Sequence, residues 1–185
     1  MKSTPLHLLL LLAWATSGFA QSAPQWRLSQ GTDAARTYTY TRFTLAGKFL
    51  TPPPQGHATD HPSLIVDCIP AKESPRGKGT FLTGNLLVGI DLKILYVEPE
   101  EIRGTSYYQK VEIRYHTDAK DEQQDKWSAG NDKASASIPK DALKDILRAH
   151  ILAITADDAQ GSQVAMQFDI PDPTPVEEAC NVDEP

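Results

Sequence analysis

The stretch KVEIRYH, residues 110–116, alternates apolar and polar residues along its whole length. In an extended backbone Val111, Ile113 and Tyr115 lie on one side, and the polar residues between them lie on the other. A helix would not keep residues of this spacing on one face, so the pattern predicts a β-strand with one buried side. A strand of this kind needs neighbours that bury the same side.

Six further segments show the same period of two or a short apolar run. These predicted strands cover residues 38–45, 64–68, 88–96, 134–138, 151–155 and 164–170. Residues 51–56 are interrupted by prolines, and residues 117–131 are polar apart from Trp127, so both stretches predict loops. Three prolines, at residues 171, 173 and 175, predict a stiff approach to Cys180.

One segment between two of these strands has a helical period instead. Leu143, Ile146, Leu147 and His150 are spaced i, i+3, i+4 and i+7, which places them on one side of a helix. Asp141 suits the first turn of that helix because a carboxylate favours the positive end of the helix dipole. We therefore predict an antiparallel β-sandwich or open barrel with one short amphipathic helix.

The N-terminus has the composition of an export signal. Lys2 precedes an apolar run with five consecutive leucines, and Gly18 and Ala20 supply small residues at positions −3 and −1 of a cleavage site. The run is too short for a membrane span of about 20 residues. We expect a signal peptide over residues 1–20, a single β-rich domain over 21–180 and a flexible tail over 181–185. The protein would then be periplasmic or secreted, without a membrane span after cleavage.

The sequence has two cysteines, Cys68 and Cys180. In an oxidising compartment two cysteines predict one intramolecular disulfide, and a pair of free thiols is the alternative. A redox role is not indicated, because the sequence has no Cys-x-x-Cys motif and no basic residue placed to lower the pKa of a thiol.

The charge balance excludes two classes of partner. The sequence has 18 basic and 24 acidic residues, for a formal net charge of −6. The signal peptide carries one lysine and no acidic residue, so its removal makes the chain more acidic still. Nucleic acids and anionic lipids both select basic surfaces, and we expect neither as a partner.

His57, Asp60 and His61 are the candidate metal ligands, since imidazole and carboxylate both bind zinc and copper. They lie in a proline-rich stretch, and no fourth ligand is indicated, so we expect a solvated loop without a metal. Residues 76–80 lack the spacing of a phosphate-binding loop, and the motifs of serine hydrolases are absent from the sequence. We therefore predict no catalytic residues, no cofactor and no enzymatic activity.

Trp26 and Trp127 are the two tryptophans that remain after signal cleavage. Exposed side by side, they would form a platform for a binding partner. Buried, they would fill the core beneath loops, which is the interpretation that we favour.

The order of several short motifs resembles the small exported accessory proteins associated with bacterial type VI secretion. The motifs are WRLS at 26–29, PSLIVDC at 62–68, VEIRY at 111–115, Trp127, NDKA at 131–134, LRA at 147–149, MQFDI at 166–170 and Cys180. The sequence departs from that family in a longer stretch over 73–102 and in its proline-rich tail, and a related uncharacterised exported bacterial family is the alternative. The resemblance implies a periplasmic, non-enzymatic role and no catalytic residues.

Three functions follow from these observations. We expect an exported envelope accessory or binding module, with secretion as its candidate process, whose partner is a protein or an envelope component. A periplasmic hydrolase that uses His57, Asp60 and His61 is the first alternative. The second alternative is a structural subunit of a surface assembly, in which exposed strand edges pair between copies, so a homo-oligomer stays open.

Overall fold

The computed structural model describes residues 23–33, 38–51, 61–69, 81–97, 108–118 and 120–180. Over these residues the chain is mainly β, as predicted, and forms an antiparallel sheet with two short helices. The elements are β1 Arg27–Asp33, β2 Tyr38–Ala46, β3 Lys48–Phe49, β4 Ser63–Ile69, β5 Phe81–Leu87, β6 Leu95–Val97, β7 Tyr108–Thr117, β8 Lys120–Ala129, β9 Ser135–Ile138, α1 Lys140–Leu147, β10 Ile151–Asp157, β11 Gln163–Asp169 and α2 Thr174–Cys180.

The sheet curls so far that its two ends reach the same segment of chain. Its strands follow the order β1-β2-β4-β5-β9-β8-β7-β10-β11-β3, with β6 added beside β7. Only Gly47 separates β2 from β3, yet β2 pairs near one end of this order and β3 pairs with β11 at the other. The result is a curled half-barrel, the open-barrel form of the predicted architecture.

Gly47 allows the bend that joins the two ends. Its N–H donates a hydrogen bond to the carbonyl of Pro62 at 2.8 Å. A Cβ at this position would lie 2.6 Å from the ring of Phe168 and 2.8 Å from the Gln167 carbonyl. Any larger residue would push β3 away from β11, so the close approach depends on glycine.

The core lies between the inner face of the sheet and α1. The predicted helical residues Leu143, Ile146 and Leu147 are all buried. A Cβ at Gly84 in β5 would lie 2.9 Å from Leu143, so this glycine lets the helix lie directly on the sheet. The prediction for His150 is wrong: α1 ends before it, and its side chain is exposed.

The predicted disulfide between Cys68 and Cys180 is confirmed, with 5.1 Å between the Cα atoms and a sequence separation of 112. In the chain-entropy description a loop of about 100 residues gives up to ~4.7 kcal/mol of stabilisation. The bond holds the end of α2 against β4.

The helix α2 is a correction to the sequence analysis, which predicted no helix before Cys180. Pro175 sits in the first turn, where a missing N–H costs nothing. The Asp172 carboxylate accepts hydrogen bonds from the N–H and hydroxyl of Thr174, at 3.0 and 2.7 Å. These bonds lower the pKa of Asp172 and start the helix.

The predicted strand over residues 88–96 is wrong for residues 88–94, and only its last two residues lie in a strand, β6. Val88, Ile90 and Leu92 are buried, but they belong to an irregular connection between β5 and the short β6. Gly89 has a φ of 77°, which an extended strand cannot contain. The alternating burial comes from a folded loop, because the N–H groups of residues 88 and 89 both donate to the carbonyl of Ala134.

The predicted loop over residues 117–131 is also wrong, because most of it forms β8. Pairing with β7 supplies its backbone hydrogen bonds, so the strand needs little apolar surface. Its side chains from Lys120 to Lys126 are exposed, and the period of a half-buried strand is absent. Strands β1 and β3 were likewise not predicted, since β1 is exposed over most of its length and β3 has two residues.

The predicted signal peptide over residues 1–20 and tail over 181–185 lie outside the described residues, as do residues 52–60 and 70–80.

Candidate functional site

Strands β1 and β8 are the long strands with a backbone edge that lacks a strand partner over most of its length in the described part of the chain, and the short strands β3 and β6 also pair on one side only. Strand β1 is first in the sheet order and pairs on one side only, with β2. Strand β8 pairs with β7 along its length, but it pairs with β9 only at Ser128 and Ala129. An open edge presents unpaired N–H and C=O groups and is the usual place for another strand to add.

The edge of β1 has none of the features that usually prevent such addition. Its register with β2 runs without a bulge from Arg27 to Asp33, and it contains no proline. Residues 28–32, between those two charged ends, carry no charge. Leu28 is 63% exposed although it lies opposite Phe43, a core residue. The strand is therefore a regular and exposed edge whose five central residues carry no charge.

Tyr40 of β2 supports β1 from the outer face. It lies opposite Gly31 in the register, and a Cβ on that glycine would come within 2.6 Å of the carbon of the ring that bears the hydroxyl. The tyrosine ring thus occupies the space that a side chain at Gly31 would take. An aromatic ring that covers a glycine on a neighbouring strand helps to fix the strand pairing.

Arg42 and Asp67 continue this support toward β4. The Arg42 guanidinium lies 4.9 Å from the centre of the Tyr40 ring. It donates two hydrogen bonds to the Asp67 carboxylate, at 2.7 and 2.8 Å, and the hydrogen bond to Asp67 is the main reason that the pKa of Arg42 is raised. Asp67 is only 8% exposed, so the bond is shielded from water on the side of the carboxylate.

A groove follows the same two strands. It is lined by residues 30–32 of β1 and residues 39–41 of β2. An extended segment that pairs with β1 would lie directly beside this groove. The pairing would supply main-chain affinity, and the groove would supply contacts for alternate side chains.

The edge of β8 is protected by its own side chains. Lys120, Asp121, Glu122, Asp125 and Lys126 are charged and exposed. The Lys126 N–H donates to the Asp125 carboxylate at 2.7 Å, and the side-chain amide of Gln123 donates to the carbonyl of Asp121 at 3.2 Å. Charged side chains on an edge disfavour the addition of another strand. Main-chain groups that already bond to nearby side chains are also less free to pair with a new strand.

A bulge directs Lys120 toward α1. The pairs Tyr115–Gln123 and Thr117–Lys120 show that β8 has one extra residue at this point. The Lys120 ammonium then reaches the Asp145 carboxylate at 2.7 Å. A bulge commonly re-aims a side chain in this way. The end of β8 is therefore attached to the helix, whereas β1 has no such attachment.

The two tryptophans contact different rings. Trp127 is 0% exposed and lies 5.5 Å from the ring of Tyr115, whereas Trp26 is half-buried and meets Phe43 edge-on at 6.4 Å. Both indole N–H groups are buried, and neither has an acceptor among the described residues. Trp127 therefore has no surface to offer a ligand, and Trp26 packs where the chain enters β1.

Only one of the three candidate metal ligands lies among the residues that the structure describes. His61 is exposed, and His57 and Asp60 lie outside the described residues. Within the ranges that are described, no three His, Cys, Asp or Glu side chains come together in a way that would hold a metal ion. Arg76 to Thr80, considered as a phosphate loop, also lie outside those ranges.

Sequence reasoning did not find the β1 edge or the residues that support it. Asp67 is a charged residue within the apolar run of β4, and that position signals a buried partner. The partner, Arg42, lies 25 residues earlier and is known only from the strand register. The open edge has no signature of its own, because it depends on the absence of a neighbour.

Neither helix in the described residues has the length and apolar character needed to cross a membrane. No family model, no curated protein and no solved structure matches this chain.

Proposed function

We propose that the protein is an exported, non-enzymatic envelope accessory or binding module that takes an extended polypeptide segment on the outer edge of β1. The single observation that carries this proposal is the regular, exposed edge of that strand, whose central residues carry no charge and lie beside a groove. Proteins that bind by strand addition use such an edge for main-chain hydrogen bonds.

Export is supported by two independent features. The long-range disulfide between Cys68 and Cys180 suits an oxidising compartment, where such bonds persist. The N-terminal sequence has the order of a signal peptide, with a basic residue, an apolar run and small residues. The resemblance to accessory proteins of type VI secretion supports a periplasmic role in a bacterial envelope.

A series of side-chain contacts holds the edge of β1 in place, as a binding surface requires. Tyr40 covers Gly31, Arg42 stacks on Tyr40, and Asp67 holds Arg42 with two hydrogen bonds. A strand that is fixed before a partner arrives loses less conformational entropy on binding. Gln30 lies in the middle of this edge and is exposed.

A photo-crosslinking amino acid in place of Gln30 tests the proposal in the native envelope. Gln124 is the matched control, since it is an exposed glutamine in the middle of β8, the protected edge. We expect a specific protein adduct at position 30 and none at position 124. Equal labelling at the two positions, or no adduct at position 30, would overturn the proposal.

A further inference from the structure

We infer that the segment which fits the edge of β1 is strand β1 of a second copy of this chain. The inference rests on the proposed function and deepens it, because it names the partner for the same edge. Two copies would meet antiparallel about a two-fold axis, with Gln30 opposite Gln30. Such an interface uses the same surface on both copies, as is usual for a homodimer.

The charges of β1 are complementary in this register. Arg27 of each copy lies opposite Asp33 of the other, so one opposite-charge pair forms at each end of the contact. No like charges meet, because residues 28–32 are uncharged. A shift of the register by two residues places Arg27 opposite Gly31 and loses both pairs. Charge pairing directly across two strands therefore selects the register centred on Gln30.

The uncharged residues also fit this register. Residues directly opposite each other share a face of the sheet, so Leu28 meets Thr32 of the second copy on the inner face. Leu28 is 63% exposed in the single chain, and pairing would cover part of it. On the outer face Ser29 lies opposite Gly31, and two such small residues leave room for the Tyr40 ring that lies over each glycine.

The edge of β8 does not fit a second copy in the same way. It carries three acidic and two basic residues over 120–126, so the charges of two β8 strands cannot all be paired. Its main chain is also partly bonded by its own side chains, as described above. The sequence thus disfavours pairing at β8 and permits it at β1.

The strength of the dimer follows from its size. A contact between two strands of seven residues is small compared with a stable interface of about 1,600 Å². The dimer should therefore dissociate on dilution, and increasing salt should weaken it because salt screens the attraction between opposite charges. A second copy can then leave the edge without unfolding of the chain.

Sedimentation of the purified protein over a range of concentrations tests the inference, with four variants for comparison. Arg27→Asp and Asp33→Arg each create two like-charge pairs in the dimer, and each should raise the dissociation constant by about tenfold. The double variant Arg27→Asp/Asp33→Arg restores opposite charges and should restore the dimer. Lys126→Asp on β8 should leave association unchanged, and circular dichroism checks the fold of each variant.

The single variants also separate strand pairing from general repulsion. The chain is acidic, so a general effect of net charge would make Asp33→Arg associate more tightly, whereas pairing makes it associate more weakly. Tighter association of Asp33→Arg, or failure of the double variant to restore the dimer, would overturn the inference. A folded protein that stays monomeric but forms an adduct at position 30 with a different protein would overturn the inference and leave the proposed function in place.

Discussion

Strands β1 and β8 both leave an edge open, but they differ in how they are attached. Strand β8 is anchored by the buried Trp127 and by the ion pair of Lys120 with Asp145. Strand β1 is held by its pairing with β2 and by the Tyr40 ring. The comparison teaches that two edges with open main-chain groups can differ in their side chains, because charged residues line β8 and are absent from the middle of β1. Strand β8 also contributes a fully buried side chain to the core, whereas most side chains of β1 are exposed.

The largest difference in the free energy of unfolding is expected between alanine substitutions at Trp127 and at Leu28. Trp127→Ala removes a fully buried ring from β8 and should lower the free energy of unfolding by about 3–5 kcal/mol. Leu28→Ala in β1 should change it by less than about 0.5 kcal/mol, because that side chain is mostly exposed. Urea unfolding of monomeric protein at low concentration measures both. Similar losses in the two variants would show that β1 is part of the core.

A smaller effect is expected where β2 supports β1. Asp67→Asn removes the charge that holds Arg42 and should lower the free energy of unfolding by about 1–2 kcal/mol, after allowance for the exposed side of Arg42. The same change at Asp169, an exposed carboxylate 4.0 Å from Lys48, is the control and should cost almost nothing.

Hydrogen exchange shows which strand loses stability in this variant. In Asp67→Asn, the amides of β1 should exchange faster, whereas those of β8 should be unchanged because β8 is anchored elsewhere. If amide exchange became faster by the same factor in both strands, Asp67 would not support β1 specifically.

The smallest effect concerns pH at the turn that leads into β8. The Asp118 carboxylate accepts hydrogen bonds from the N–H groups of Ile151 and His150, and these bonds lower its pKa. The unfolded chain therefore binds the proton more tightly than the folded chain. The stabilisation is present above the unfolded pKa of about 3.9 and is lost as pH falls through the lower folded pKa.

The variant Asp118→Asn should therefore flatten the fall of stability below pH of about 4. The control is Asp121→Asn, whose carboxylate makes no hydrogen bond among the described residues and which should keep the wild-type slope. Denaturant unfolding at several pH values measures the effect. A wild-type slope in Asp118→Asn would show that the hydrogen bonds at Asp118 do not contribute.

The strands that bury one face could be predicted from the sequence. The alternation in β4, β7 and β11 and the helical spacing in α1 correspond to buried residues, because burial is what creates the pattern. The disulfide also followed from the number of cysteines and the predicted compartment. Strand β8 was missed because backbone pairing with β7 holds it in place. Such pairing produces no alternation of apolar and polar residues in the sequence.

The candidate site was the least predictable part. Residues 88–94 alternate like a strand although a loop buries them, and residues 27–33 form a strand without alternating. In both cases neighbours distant in sequence decide the backbone. Asp67 gave a local signal, since a charge within an apolar run needs a partner, but Arg42 could be found only through the register of β2 and β4.

The sequence by itself determined the mainly β class, the single amphipathic helix α1 and the pairing of Cys68 with Cys180. Each depends on composition or on a period that neighbouring residues share. The tertiary structure decided the curl of the sheet at Gly47, the conformation of the polar strands and the identity of the open edges. An edge is open because no other strand lies beside it, and that is a property of the whole arrangement and not of any local stretch of residues.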